Sequence, residues 1–167
     1  ALPNFMRFGG NAAFVEGWAL YAESLGPELG MFTDPYQAFG SLDDEMLRAI
    51  RLVVDTGIHA KGWSREQAIQ YMLDNSAQSE TEARAEVERY IAIPGQALAY
   101  KVGALTIRRL RTEAEQALGE RFDLREFHAQ VLDTGALPMA VPRRPPPDGS
   151  SARPPRCCKH VPPMAPA

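Results

Sequence analysis

The sequence predicts an all-α fold in which several helices are joined by short loops. Apolar residues recur at intervals of three and four along most of residues 1–141, which is the spacing of amphipathic helices. No segment between turn signals shows the apolar–polar alternation that is typical of a half-buried strand. These two observations together favour a helical fold without a sheet.

Turn and cap signals divide residues 1–141 into six predicted helices. Gly26-Pro27 should end the first, and a loop marked by Asp34-Pro35 and Gly40 should precede the second, which Ser41 or Asp43 can cap. Later starts and stops follow the same logic of Ser or Asp before a helix and Gly after it. The predicted bounds are about 12–25, 41–59, 65–75, 80–90, 97–118 and 124–132.

Three of these boundaries carry specific sequence signatures. Ser64 with Gln67 and Ser79 with Glu82 have the spacing of capping boxes. Pro94-Gly95 should break the chain between the fourth and fifth helices, because proline lacks an amide proton and clashes with the preceding turn. We therefore expect a helix break at that point rather than one continuous rod.

The last 26 residues, 142–167, have a different composition from the rest of the chain. They contain nine of the 14 prolines, both cysteines and a net charge of +4, which leaves −7 for residues 1–141. Such a Pro/Arg-rich segment cannot build a packed core, so we expect a disordered tail. The acidic body argues against a nucleic-acid partner, and no apolar run is long enough for a transmembrane segment.

The first predicted helix carries two carboxylates among apolar residues. Glu16 and Glu23 are seven residues apart and so lie on nearly the same face, among aromatic and aliphatic neighbours. A carboxylate in such surroundings is costly unless it is paired or bound to a metal. Catalytic zinc needs three protein ligands, and none of the three histidines lies in a His-Glu-x-x-His motif. On residue chemistry alone, ion pairs at the rim of a helix bundle are favoured.

The same segment, residues 14–23 with the sequence Phe-Val-Glu-Gly-Trp-Ala-Leu-Tyr-Ala-Glu, resembles part of a bacterial family known as domain of unknown function 885. That family is similar to the gluzincin metallopeptidases. The resemblance covers most of residues 1–141, and further matching segments follow in order at 34–36, 51–59, 63–68, 89–90, 94–103, 127–128 and 135–138.

The resemblance implies the C-terminal part of a gluzincin-like helical metallopeptidase fold. Glu16 matches the glutamate that completes a zinc site in that family, and Glu23 would lie behind it. The histidine ligands and the general base are expected upstream of Ala1, in the missing N-terminal half of the same protein. This chain alone is therefore expected to be inactive, and the complete protein is expected to hydrolyse peptides with zinc.

Other positions are candidates for the same site. By resemblance, Tyr90 would donate a hydrogen bond to the oxyanion; a tyrosine packed within the bundle is the alternative. Asp55 could orient His59, although a histidine at a helix C-terminus also complements the dipole. Further substrate-binding candidates are Arg51, which could grip a carboxylate, and Gln96 and Tyr100, which follow the predicted break.

Two functional hypotheses follow. The chain is either the helical C-terminal part of a zinc peptidase-like hydrolase or a non-catalytic helical scaffold that binds a partner. The relatives continue as helix where residues 142–167 turn to Arg, Pro and Cys, so this tail is either a frameshift product or a genuine low-complexity segment. The sequence does not indicate a cellular compartment.

Overall fold

The computed structural model describes residues 9–133 and 135–139. This part of the chain contains six α-helices and one 3₁₀ turn and no strand, which confirms the all-α prediction there. The predicted tail lies outside the described residues. The helices are α1 Ala12–Glu23, α2 Pro35–Lys61, α3 Arg65–Asn75, α4 Glu80–Ala92, α5 Gln96–Leu118 and α6 Leu124–Leu132, with the 3₁₀ turn at Gly119–Arg121.

The start of α2 differs from the prediction. The helix begins at Pro35 instead of after Ser41 or Asp43, because the Oδ1 atom of Asp34 accepts a hydrogen bond of 2.7 Å from the Tyr36 amide. Asp34-Pro35 is thus an N-cap followed by proline at the first helical position, where its missing amide costs nothing. Reading the pair as a loop was wrong.

Most of the other predicted boundaries are confirmed. Both capping boxes form, with Ser64 accepting from the Gln67 amide and Ser79 from the Glu82 amide. The helical path is interrupted between α4 and α5, as predicted. Gly95 at this point has a φ of 79°, a left-handed conformation that favours glycine. The end of α1 is wrong by two residues, since turns begin directly after Glu23.

The apolar residues form two buried clusters. The first joins α1, the greater part of α5, and α6; the second joins α2, α3 and α4 with the first turn of α5. Helix α5 therefore contributes to both clusters and connects the two halves of the bundle. No described helix combines the length and the hydropathy that a membrane crossing requires.

Helices α1 and α5 touch backbone to backbone. A Cβ atom on Gly103 would overlap the carbonyl oxygen of Ala13, and one on Gly17 would overlap the Cα atom of Gly103. Both positions must be glycine for the helices to come this close, since a side chain at either one would push them apart. The contact fixes the position of α1, and of Glu16 beside Gly17, relative to the rest of the bundle.

Helix α6 is anchored to α1 by a polar contact within the first cluster. The Tyr21 hydroxyl lies 2.8 Å from the Nε2 atom of His128, and the Trp18 ring meets the imidazole edge to face. Burial and nearby Arg111 lower the pKa of His128, which favours the neutral ring beside the Tyr21 hydroxyl. The structure thus assigns His128 a packing role.

Replacing Gly103 by alanine should destabilise the fold strongly. Forcing a methyl group against the Ala13 carbonyl separates α1 from α5, and overpacking of this kind costs about 1–3 kcal/mol or more. Urea unfolding of Gly103→Ala measures the loss. Gly40→Ala is the matched control: Gly40 lies within α2 with open space around it, so alanine there should stabilise by about 0.5–1 kcal/mol. Equal stabilities for the two variants would contradict the close contact.

Candidate functional site

The break between α4 and α5 leaves two backbone groups without their usual helical partners. The Tyr90 carbonyl would ordinarily accept from the amide of residue 94, but Pro94 has no amide proton. The Nε2 atom of His59 lies 2.9 Å from this carbonyl and donates to it, since a carbonyl oxygen can only accept. The Gly95 amide donates to both carboxylate oxygens of Asp55, at 3.1 and 3.2 Å.

Asp55 and His59 therefore do not orient each other. The two residues lie one turn apart on α2, as predicted, but each binds a separate backbone group at the break. Asp55 is 2% exposed and stands at the positive end of α5, where the helix dipole stabilises a carboxylate. Gly95 has no side chain with which to cap α5, so Asp55 acts as the cap from a neighbouring helix.

Next to the break, one carboxylate oxygen of Glu86 accepts three hydrogen bonds. The Oε2 atom of Glu86 accepts from Arg51 at 2.7 Å, from Arg89 at 2.8 Å and from the Tyr90 hydroxyl at 2.5 Å. The Nε atom of Arg51 also donates to the Tyr90 hydroxyl at 2.9 Å. Arg51 is 5% exposed, and its Nη1 atom is buried with no hydrogen-bond partner among the described residues.

These contacts determine the charges in the cluster. Burial acts to raise the pKa of Glu86, but hydrogen bonds from Arg89, Tyr90 and Arg51 outweigh it and lower that pKa to about 2. Burial and the neighbouring Glu86 raise the pKa of Tyr90, against the opposite influence of Arg51. The cluster at neutral pH thus consists of an ionised Glu86, charged arginines and a neutral tyrosine.

Tyr90 is packed within the helix bundle, which is the alternative to an oxyanion-binding tyrosine. It is 1% exposed, and its proton already binds Glu86, so contact with an oxyanion would require that bond to break. Its catalytic role stays a prediction.

The remaining predicted substrate residues lie around the same junction of α2, α4 and α5. The guanidinium carbons of Arg48 and Arg51 lie 5.1 and 5.0 Å from the centre of the Tyr100 ring, a cation–π arrangement. Gln96 accepts a long hydrogen bond of 3.4 Å from Arg89. The structure thus brings Arg51, Asp55, His59, Tyr90, Gln96 and Tyr100 into one neighbourhood.

Glu16 and Glu23 lie on α1, which belongs to the first apolar cluster. Glu16 is half-buried and Glu23 is exposed, so only Glu16 is partly removed from water. Neither side chain has a hydrogen bond or ion pair within residues 9–133 and 135–139, so the alternative of a rim ion pair is not formed there. The described residues contain no group of three or more His, Cys, Asp or Glu side chains that could hold a metal. This part of the chain therefore does not fit zinc by itself.

Sequence reasoning missed two acidic residues whose ion pairs join α2 to the neighbouring helices. Glu86 holds the cluster described above, and Glu45 accepts from Lys101 at 2.6 Å and from Arg108 at 3.0 Å. The spacing of Glu86, Arg89 and Tyr90 places all three on one side of α4, a local signal that could have revealed the first. The partners of Glu45 lie 56 and 63 residues away and left no local signal.

Glu86→Gln should destabilise the chain at neutral pH by about 1–3 kcal/mol, because it leaves Arg51 and Arg89 without their carboxylate. The folded-state pKa of about 2 lies below the ordinary glutamate value of 4.5, so the contribution of Glu86 to stability is complete above pH 4.5 and lost towards pH 2. The stability difference between wild type and variant should shrink across that window, measured by urea unfolding at several pH values. Glu88→Gln, at an exposed position of the same helix, should have little effect at any pH. A difference that stays constant with pH would contradict the assignment.

Two solved structures resemble this chain along most of its length. A crystal structure of a candidate lipoprotein from Colwellia psychrerythraea is 53% identical, with a TM-score of 0.81, and the match covers 83% of this chain and 24% of that chain. A candidate lipoprotein of unknown function from Shewanella oneidensis is 34% identical, with a TM-score of 0.73 and coverages of 78% and 24%. This chain thus spans about a quarter of the length of either relative.

Comparison with other proteins also identifies the family. No curated protein matches the sequence. Residues 1–144 match the family described as bacterial protein of unknown function, DUF885. The chain belongs to this bacterial DUF885 family.

Proposed function

We propose that this chain is the C-terminal helical part of a zinc-dependent, peptidase-like hydrolase, to which Glu16 contributes one metal ligand. The observation that carries the proposal is the state of Glu16: a half-buried carboxylate with no hydrogen bond or ion pair in the described part of the chain. Partial desolvation without a partner is unfavourable, and a metal ion would compensate for it.

The position of Glu16 on a rigidly packed helix is suitable for a metal ligand. It precedes Gly17, whose contact with Gly103 locks α1 against α5 backbone to backbone. A metal ligand must be held to within a fraction of an ångström, which a side chain on a rigid helix achieves better than one on a loop.

The other ligands would come from the rest of a longer polypeptide. Catalytic zinc takes three protein ligands, and the described residues offer no such group. The solved relatives are about four times as long as the part that this chain matches, which leaves ample sequence for the remaining ligands and the general base. The chain by itself would then be inactive.

Peptides are the proposed substrates of the complete protein. Gln96 and Tyr100 are half-buried at the junction of α2, α4 and α5 and are the better candidates for substrate contact. Arg51 and Tyr90 are buried and bonded to each other and to Glu86, and we assign them to the wall that supports this surface.

A non-catalytic, partner-binding helical module is the second candidate. It is favoured by the junction, where most polar side chains are satisfied within the chain, and by the large apolar side chains that remain exposed on α2. Such a module would contain no stoichiometric zinc in any context.

Glu16→Gln in the complete protein tests the proposal. The substitution keeps the shape of the side chain but removes the charge that binds the metal. We expect zinc affinity and peptide hydrolysis to fall by at least about 100-fold, more than loss of an outer partner typically causes. Metal content by atomic absorption and turnover of a peptide library are the measurements. Glu66→Gln is the control, since Glu66 is exposed on α3 and belongs to no predicted site, and it should retain zinc.

Two results would contradict the proposal. Full zinc content and full activity in Glu16→Gln would remove Glu16 from the site. A complete wild-type protein that contains no zinc and cleaves no peptide would favour the partner-binding module instead.

A further inference from the structure

The N-terminal half of α2 is only sparsely packed against the rest of the described chain. The helix spans Pro35–Lys61, but its first buried residue is Ile50, so residues 35–49 include no buried side chain. Its contacts are the ion pairs of Glu45 with α5, Arg48 over the Tyr100 ring and the partly buried Leu47. Most helical stability in proteins comes from burial of an apolar face, so a half-helix with so little burial is only weakly stabilised. This half therefore needs a further contact that the described residues do not supply.

Four of the exposed apolar side chains of α2 follow a regular spacing. Phe39, Leu42, Met46 and Val53 are separated by three, four and seven residues, and they are 69%, 65%, 52% and 38% exposed. Ala49 continues the alternation of three and four, which places all five on one side of the helix. We call these five residues the α2 seam.

The neighbouring helices contact other sides of α2. Glu45 and Asp55 face α5, through Lys101 and Gly95, while Ile50 and Val54 point into the second cluster. The seam thus remains open after α2 has packed against its partners in the described chain. An apolar stripe of this length on a folded protein marks an interaction site.

We propose that the α2 seam binds an amphipathic helix from the rest of the longer polypeptide. The three–four spacing is the pattern that receives a second helix by knobs-into-holes packing. Asp43 borders the seam between Leu42 and Met46, so the incoming helix should bring a basic residue beside its apolar stripe.

Length and area favour a tethered occupant over a separate one. This chain matches only 24% of either solved relative, so about three quarters of each polypeptide lies outside the match. Five side chains cover much less than the ~800 Å² per partner that stable separate complexes bury. A covalently linked helix needs less area, because the tether raises its effective concentration. The proposal shares with the proposed function the longer chain, but it does not depend on zinc.

Hydrogen exchange tests the seam directly. In the 167-residue chain, amides of residues 38–49 should exchange fast and those of residues 50–61 slowly. In the complete protein, the first set should slow by at least about tenfold, since docking adds protection to sparsely packed backbone. Equal exchange of residues 38–49 in the two proteins would overturn the proposal.

A matched pair of variants identifies the occupant. Leu42 and Leu29 are 65% and 67% exposed, but only Leu42 lies in the seam. Leu42→Lys should restore fast exchange of residues 38–49 in the complete protein and leave the 167-residue chain unchanged, while Leu29→Lys should change neither. Dimerisation of the complete protein through the seam, abolished by Leu42→Lys in sedimentation, would instead identify a second copy and overturn the tethered helix. Zinc content that stays normal in Leu42→Lys separates this result from the test of Glu16.

Discussion

The absence of one amide proton, at Pro94, organises the junction of α2, α4 and α5. Without that proton the chain must break, and the Tyr90 carbonyl and the Gly95 amide need new partners. His59 and Asp55 provide them from α2, which draws this helix against the break. The same approach buries Arg51 beside Tyr90 and Tyr100. The candidate substrate residues are neighbours because they satisfy this backbone requirement.

The second constraint is the glycine contact between α1 and α5. Helix α5 starts at the break and contributes side chains to both apolar clusters, so it connects the junction to α1. Gly17 and Gly103 let the two helices meet without intervening side chains. Glu16 is therefore held in a fixed relation to the junction by backbone packing, although no side-chain contact between them is needed.

Local signals predicted the helices well, and the limits of that prediction have physical causes. The capping boxes at Ser64 and Ser79 and the break at Pro94-Gly95 depend on neighbouring residues, and all formed as expected. Asp34-Pro35 was misread because the same pair is compatible with a loop or a helix start. The Glu45 pairs and the backbone partners of Asp55 and His59 join residues 31 to 63 positions apart, which no local pattern encodes. For Glu16, residue chemistry suggested a need for a partner, but its half-buried position depends on how α1 packs against α5, which no local pattern encodes.

Among the described residues, polar side chains are mostly paired where the helices meet, whereas two outer surfaces carry groups without such partners. In the junction, Glu86 accepts hydrogen bonds from two arginines and a tyrosine hydroxyl. Glu16 on α1 and the seam on α2, by contrast, combine partial exposure with groups that prefer partners, a carboxylate in one case and apolar side chains in the other. Both surfaces are suited to contact with further polypeptide, because one offers apolar side chains to a helix and the other offers a carboxylate to a partner. In the proposed complete protein, the seam would hold an incoming helix and Glu16 would contribute a ligand from a separate surface, so the two contacts can be lost independently.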